Sequence, residues 1–144
     1  MLLVDAEALM HKAFHAGKSN NAMTLQSFCT GEDTTATLIF TRALLNALAV
    51  VNPSHCALVT GGREQVHTWR HELSNGSYKS TRQHLEPGME FAFRRMLQVA
   101  RVCFRLPEHS GASDVEADDV IATLVCRTRA AGLPVSIFSH DKGA

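Results

Sequence analysis

Residues 114–124 read "DVEADDVIATL", and they set Asp114, Glu116, Asp118 and Asp119 within six positions, directly before an apolar run. Acids at a helix N-terminus are favoured by the helix dipole by about 0.3–1 kcal/mol each. Like charges about 4 Å apart cost on the order of 4 kcal/mol at the effective dielectric of a protein surface. Dipole energy therefore offsets one or two acids but not a crowd. A divalent cation offsets the crowd, and hard carboxylate oxygens suit Mg²⁺ or Mn²⁺. Glu116 and Asp119 are three apart and share a helix face, whereas Asp118 points about 100° away from Asp119. The plain alternative is a solvated acidic first turn. Asp5 and Asp141, at the ends of two other apolar runs, are what weigh against it.

Other chemistry-bearing residues form no such pattern. His11 and His15 are four apart, but no glutamate accompanies them as in a zinc-protease helix, and surface or packing roles are expected. Cys29, Cys56, Cys103 and Cys126 are widely spaced, without a CxxC pair; they are expected to be reduced core residues of a cytoplasmic protein.

The elements that must position the acids alternate along the chain. "MLLV" ending at Asp5 reads as a buried strand, followed by a helix "AEALMHKAFHA" with Ala8, Leu9, Lys12, Ala13 and Ala16 at helical spacing. Residues 17–33 read as a polar loop. "TTATLIFTRALLNALAVV" reads as a helix capped near Asp33 or Thr34, and "CALVT" as a second strand. Residues 61–82 have no sustained period. "PGMEFAFRRMLQVA" is a helix by its spacing, "RVCFRL" a third strand, and "HSGASD" a loop. Ser113 and Glu116 fit a capping box for a helix running to about Ala131, where Gly132 and Pro134 stop it. "VSIFS" is a fourth strand before His140 and Asp141. This order predicts one α/β domain over 1–144: a mostly parallel sheet with helices on both faces. Sites in such sheets form beyond the carboxyl ends of the strands. Asp5, the 114–119 acids and Asp141 all fall there.

With 45% apolar residues the chain is not disordered, and no apolar stretch approaches a bilayer span of about 20 residues. The N-terminus does not read as a signal peptide. Net charge is zero, but residues 61–105 hold eight Lys and Arg against four acids, and residues 106–144 hold three against six. A basic middle beside an acidic end suits a polyanion held near a cation site.

"LLVDAEALMHKAFHA", "WRHELSNGSYKSTR", "VEADDVIATL" and "SIFSHDKG" occur in the order seen in the 5′-nuclease family of flap endonucleases. The sequence resembles the N-terminal nuclease domain of bacterial DNA polymerase I, and most of all stand-alone bacterial or phage proteins of the exonuclease IX type. That resemblance implies a PIN-like three-layer fold. It implies 5′-3′ exonuclease or flap endonuclease cleavage of DNA phosphodiesters in replication and repair, with one or two carboxylate-bound Mg²⁺ or Mn²⁺ ions. It assigns Asp5, Glu116, Asp118 and Asp141 to the metal, Asp119 to the adjacent acid, and Lys79 and Arg82 to the scissile phosphate. Tyr78 becomes a base-stacking candidate, and Lys12 a DNA-backbone contact. Lys79 and Arg82 lie three apart, so both can reach one phosphate. Trp69 is expected to pack.

Two departures stand out. The second strand of relatives ends in an acid, where this chain has Thr60 and Gly61; weaker metal affinity, or substitution by Glu64, is the expected consequence. The chain also stops just after "DKG", where relatives continue into a helix–hairpin–helix region that grips duplex DNA. A short form, one half of a split nuclease needing a second polypeptide, and a non-catalytic nucleic-acid-binding remnant are all open on this reading. Residues 61–86 are a candidate small arch or clamp. An RNA nuclease of the PIN toxin type shares the acid layout but would not be expected to carry "WRH" followed by "YK..R".

Overall fold

A computed structural model of the chain describes residues 1–19, 24–62, 73, 86–112 and 114–140. Four strands form one sheet: β1 (Leu2–Asp5), β2 (Cys56–Thr60), β3 (Glu108–Ser110) and β4 (Ser136–Phe138), in the spatial order β3-β2-β1-β4. All three pairings are parallel, and Asp5 stands opposite Val59 at the end of the central pair. Helices α1 (Ala6–Ser19), α2 (Thr35–Val51), α3 (Met89–Val102) and α4 (Ala117–Ala130) cover it. The parallel α/β sandwich expected from the alternation is thus observed.

Strand residues alternate between two cores, as a pleated backbone requires. Leu2, Val4 and Leu58 face the first, with Leu9 and Met10 of α1, Phe40 and Leu44 of α2, and Met96 and Ala100 of α3. Leu3, Ala57 and Val59 face the second, against Ala117 and Ile121 of α4. β1 and β2, covered on both faces, are buried almost throughout, hence their unbroken apolar runs.

Four expectations are corrected. "RVCFRL" is not a strand: α3 continues through Val102, and Arg105 then takes a left-handed φ of 52°. The apolar stripe of Met89, Phe93, Met96 and Ala100 carries the helix past the β-branched residues that suggested a strand. The third strand is instead the polar "EHS", which begins beside Pro107, whose carbonyl accepts from the Leu58 N–H at 2.9 Å. A three-residue edge strand needs only its backbone groups to pair, so it need carry no apolar signature. Second, α4 starts at Ala117 with Glu116 as N-cap, not at Ser113. Third, α1 extends to Ser19 and buries Ala6, Leu9, Met10, Ala13 and Phe14, while Lys12 is exposed. Fourth, the cysteines are free but not core: Cys29, Cys103 and Cys126 are exposed and Cys56 is half-buried. The stop of α4 is as expected. Gly132, with φ 73°, donates to the Arg129 carbonyl and Leu133 donates to that of Thr128, a Schellman ending. Among the described residues no helix is long and apolar enough to cross a membrane.

Candidate functional site

β1 ends in Asp5, which is 4% exposed. Its Oδ1 accepts from the Ala8 N–H at 3.0 Å, so it caps the first turn of α1. Its Oδ2 accepts from the Ser139 hydroxyl at 2.8 Å, which ties the end of β1 to the end of β4.

Glu116, the N-cap of α4, is 5% exposed, with extended backbone (φ −81°, ψ 158°) and no side-chain cap hydrogen bond. Its carbonyl instead opens the helix, accepting from the Asp119 and Val120 N–H groups at 3.1 and 3.3 Å. Because Ala117 and Ile121 turn toward the sheet, Asp118 is exposed and Asp119 half-buried. Asp114 is exposed.

The end of β2 joins these elements. Thr60 is buried, and its hydroxyl donates to Glu108 Oε1 at 3.2 Å. Its carbonyl accepts from the Gly111 N–H at 3.1 Å. Gly61 donates its N–H to Glu7 Oε1 at 2.8 Å, and Gly62 donates to the Val115 carbonyl at 2.8 Å. Consecutive amides of β2's exit thus hold the first turn of α1 on one side and the approach to Glu116 on the other.

Lys12 Nζ donates to His140 Nδ1 at 3.0 Å. Burial holds the His140 imidazole below the usual histidine range, the Lys12 ammonium pushes the same way, and Asp5 opposes both. Neutral His140 can accept that bond. His11 stands edge-on to Phe93, and His15 lies near Glu86, the surface and packing roles expected of them.

Of the sequence-derived site residues, Asp5, Lys12, Glu116, Asp118 and Asp119 lie among elements that meet at the carboxyl edge of the sheet. Asp141, Tyr78, Lys79 and Arg82 lie outside the described residues, as do Trp69, Glu64 and nearly all of the 61–86 arch. Among the described residues no three His, Cys, Asp or Glu side chains are grouped to hold a metal ion. The donor chemistry nevertheless fits a hard dication. Asp5 and Glu116 are buried carboxylates at one sheet edge, and carboxylate oxygens are the hard donors that such an ion takes.

Sequence reasoning missed Glu7, Glu108 and Ser139. Only Glu7 carried a signal, as an acid in the turn directly after Asp5.

A parallel α/β sheet with buried acids at its carboxyl edge defines a class of fold, and comparison gives the family. Residues 1–144 match the family described as 5′-3′ exonuclease, N-terminal resolvase-like domain, and the chain belongs to it. It is 29% identical over 142 residues to DNA polymerase I of Bacillus caldotenax, covering 99% of this chain and 15% of that one. It is 35% identical over 91 residues to flap endonuclease Xni of Shewanella amazonensis, covering 63% of this chain and 34% of that one. The phage T5 D15 protein, crystallised with metal ions, shares the fold at a TM-score of 0.62 and 14% identity, over 98% of this chain and 49% of that chain. The chain therefore spans less than half the length of these relatives.

Proposed function

We propose that this chain is a metal-dependent nuclease domain that cleaves DNA phosphodiesters at a 5′ end or flap, in bacterial or phage DNA replication and repair in the cytoplasm. Support comes from the family and from two buried carboxylates, Asp5 and Glu116, at one sheet edge where Ser139 ties in β4. Asp5, Glu116, Asp118, Asp119 and Asp141 would hold one or two Mg²⁺ or Mn²⁺ ions. When bound, such ions polarise the phosphate and supply a nucleophilic oxygen at neutral pH.

The chain's own residues do the rest. Asp5 is fixed at both oxygens, so its orientation is set before any ligand arrives. Glu116 is anchored by the α4 N-terminus and the Gly62–Val115 bond. Lys79 and Arg82 would neutralise the scissile phosphate. Tyr78 would stack on a base, and Lys12, steadied by His140, would meet the backbone.

A fluorescent 5′-flap DNA with Mn²⁺ tests this reading; cleavage lost in Asp5→Asn supports it. A second reading has one observation in its favour: β2 ends in Thr60-Gly61, with no acid of its own. On that reading the chain binds nucleic acid without turnover, or acts with a second polypeptide. Salt-dependent binding without cleavage would favour it. Cleavage confined to single-stranded RNA would overturn the DNA assignment.

A further inference from the structure

We infer that His140 is a positioning residue for Lys12, and that the exit of β4 thereby fixes a phosphate-contacting cation relative to the Asp5 carboxylate. The inference rests on the nuclease reading above. Lys12 is exposed on α1, and its Nζ meets His140 Nδ1 at 3.0 Å, across 128 positions of sequence. An ammonium can only donate, so Nδ1 accepts and the imidazole is neutral. The ring is itself held. It stands edge-on to Phe138, with centroids 5.0 Å apart, and Phe138 packs against the core that α1 and α2 cover. Ser139, between the two, donates to Asp5 Oδ2 at 2.8 Å. Consecutive residues leaving β4 therefore grip the acid that ends β1 and a base on the helix that follows it.

The kind of partner separates Lys12 from other cations of the fold. Lys18, Arg94, Arg95 and Arg101 each meet a glutamate, which answers their charge. His140 orders the Lys12 side chain without answering its charge. The ammonium keeps further N–H donors for an anion. A freely rotating lysine loses rotamer freedom when it binds, and one already held loses less. A carboxylate in the place of His140 would order Lys12 equally but would compete with a phosphate for it. A neutral acceptor beside the Ser139–Asp5 bond instead presents a pre-ordered cation to the DNA backbone, in fixed register with the acid.

The test is binding of fluorescently labelled 5′-flap DNA by the full chain, read by anisotropy across a salt series, in chelator so that no metal ion enters. His140→Leu removes the acceptor. His140→Asn keeps one, because its amide oxygen branches from the same carbon as Nδ1. The expected result is about three- to tenfold weaker binding in His140→Leu, with parental binding restored in His140→Asn and melting temperatures unchanged. Lys12→Ala is expected to weaken binding and to lower the slope of log affinity on log salt by about one. In the Lys12→Ala background, His140→Leu is expected to cost nothing further, because its effect passes through Lys12. Parental binding in His140→Leu overturns the inference. So does a loss that His140→Asn shares in full, that persists without Lys12, or that a lowered melting temperature accounts for. Flap cleavage with Mn²⁺ separates the inference from the reading beneath it. If the parent binds and cuts while His140→Leu binds as the parent does, the nuclease reading stands and His140 alone falls. If the parent neither binds nor cuts, both fall.

Discussion

The Ser139 hydroxyl donates to Asp5 Oδ2 at 2.8 Å, across 134 positions of sequence. One bond thus joins the end of β1 to the end of β4. Ser139→Ala removes the donor and leaves the carboxylate buried. It is expected to cost about 0.5–1.5 kcal/mol in urea unfolding and to weaken Mn²⁺ binding. Lost stability with full metal affinity would separate this bond from the site.

Asp5 and Glu116 would both ligate the cation on this account, so saturating metal is expected to stabilise the fold. Mn²⁺ at about 100 times its dissociation constant is expected to add about 2.7 kcal/mol, removable by a chelator. Asp5→Asn and Glu116→Gln are expected to abolish that gain and to lower cleavage more than about 100-fold, beyond the effect of an outer-shell loss. Scanning calorimetry with and without metal reads the first effect, and the flap assay the second.

Gly111 sits where a side chain has no room. A Cβ there would lie 2.8 Å from the Val115 carbonyl oxygen, the group that accepts from Gly62. Gly111→Ala must push the approach to Glu116 aside. An overpacking cost of about 1–3 kcal/mol is expected, at about 2–4 °C in Tm per kcal/mol, together with weaker metal binding. An unaltered Tm would show that the loop yields freely.

Acid stability draws on two surface carboxylates, Glu32 and Glu86. Glu32 is held below its ordinary 4.5 by the Thr30 hydroxyl and then by Arg95; Glu86 is held below it by Lys18, with help from His15. A depressed folded-state value adds stability above the unfolded value, and that stability is lost as pH falls through the folded one. The parent is therefore expected to exceed a Glu32→Gln/Glu86→Gln double variant modestly at neutral pH, with the gap closing below about pH 4.5. Urea midpoints across pH 3–7 check it; a gap independent of pH would contradict it.

The sheet was legible because β1 and β2 are buried on both faces and must be apolar throughout. Asp5 was legible for the same reason, as the first charge after such a run. β3 was not: an edge strand of Glu108, His109 and Ser110 needs only its peptide groups. The start of α4 was misplaced because Ser113 and Glu116 match a capping pattern, while packing of Ala117 and Ile121 on the sheet decides where the helix begins. The Glu7–Gly61 contact lay beyond sequence reasoning, since it joins residues 54 apart through a backbone amide.

The most direct measurement is a crystal soaked in Mn²⁺ and read by anomalous scattering. The account predicts an ion peak among the carboxylates of Asp5, Glu116 and Asp141, lost in Asp5→Asn. Full Mn²⁺ with no peak at that edge, or a peak unaffected by Asp5→Asn, would contradict it.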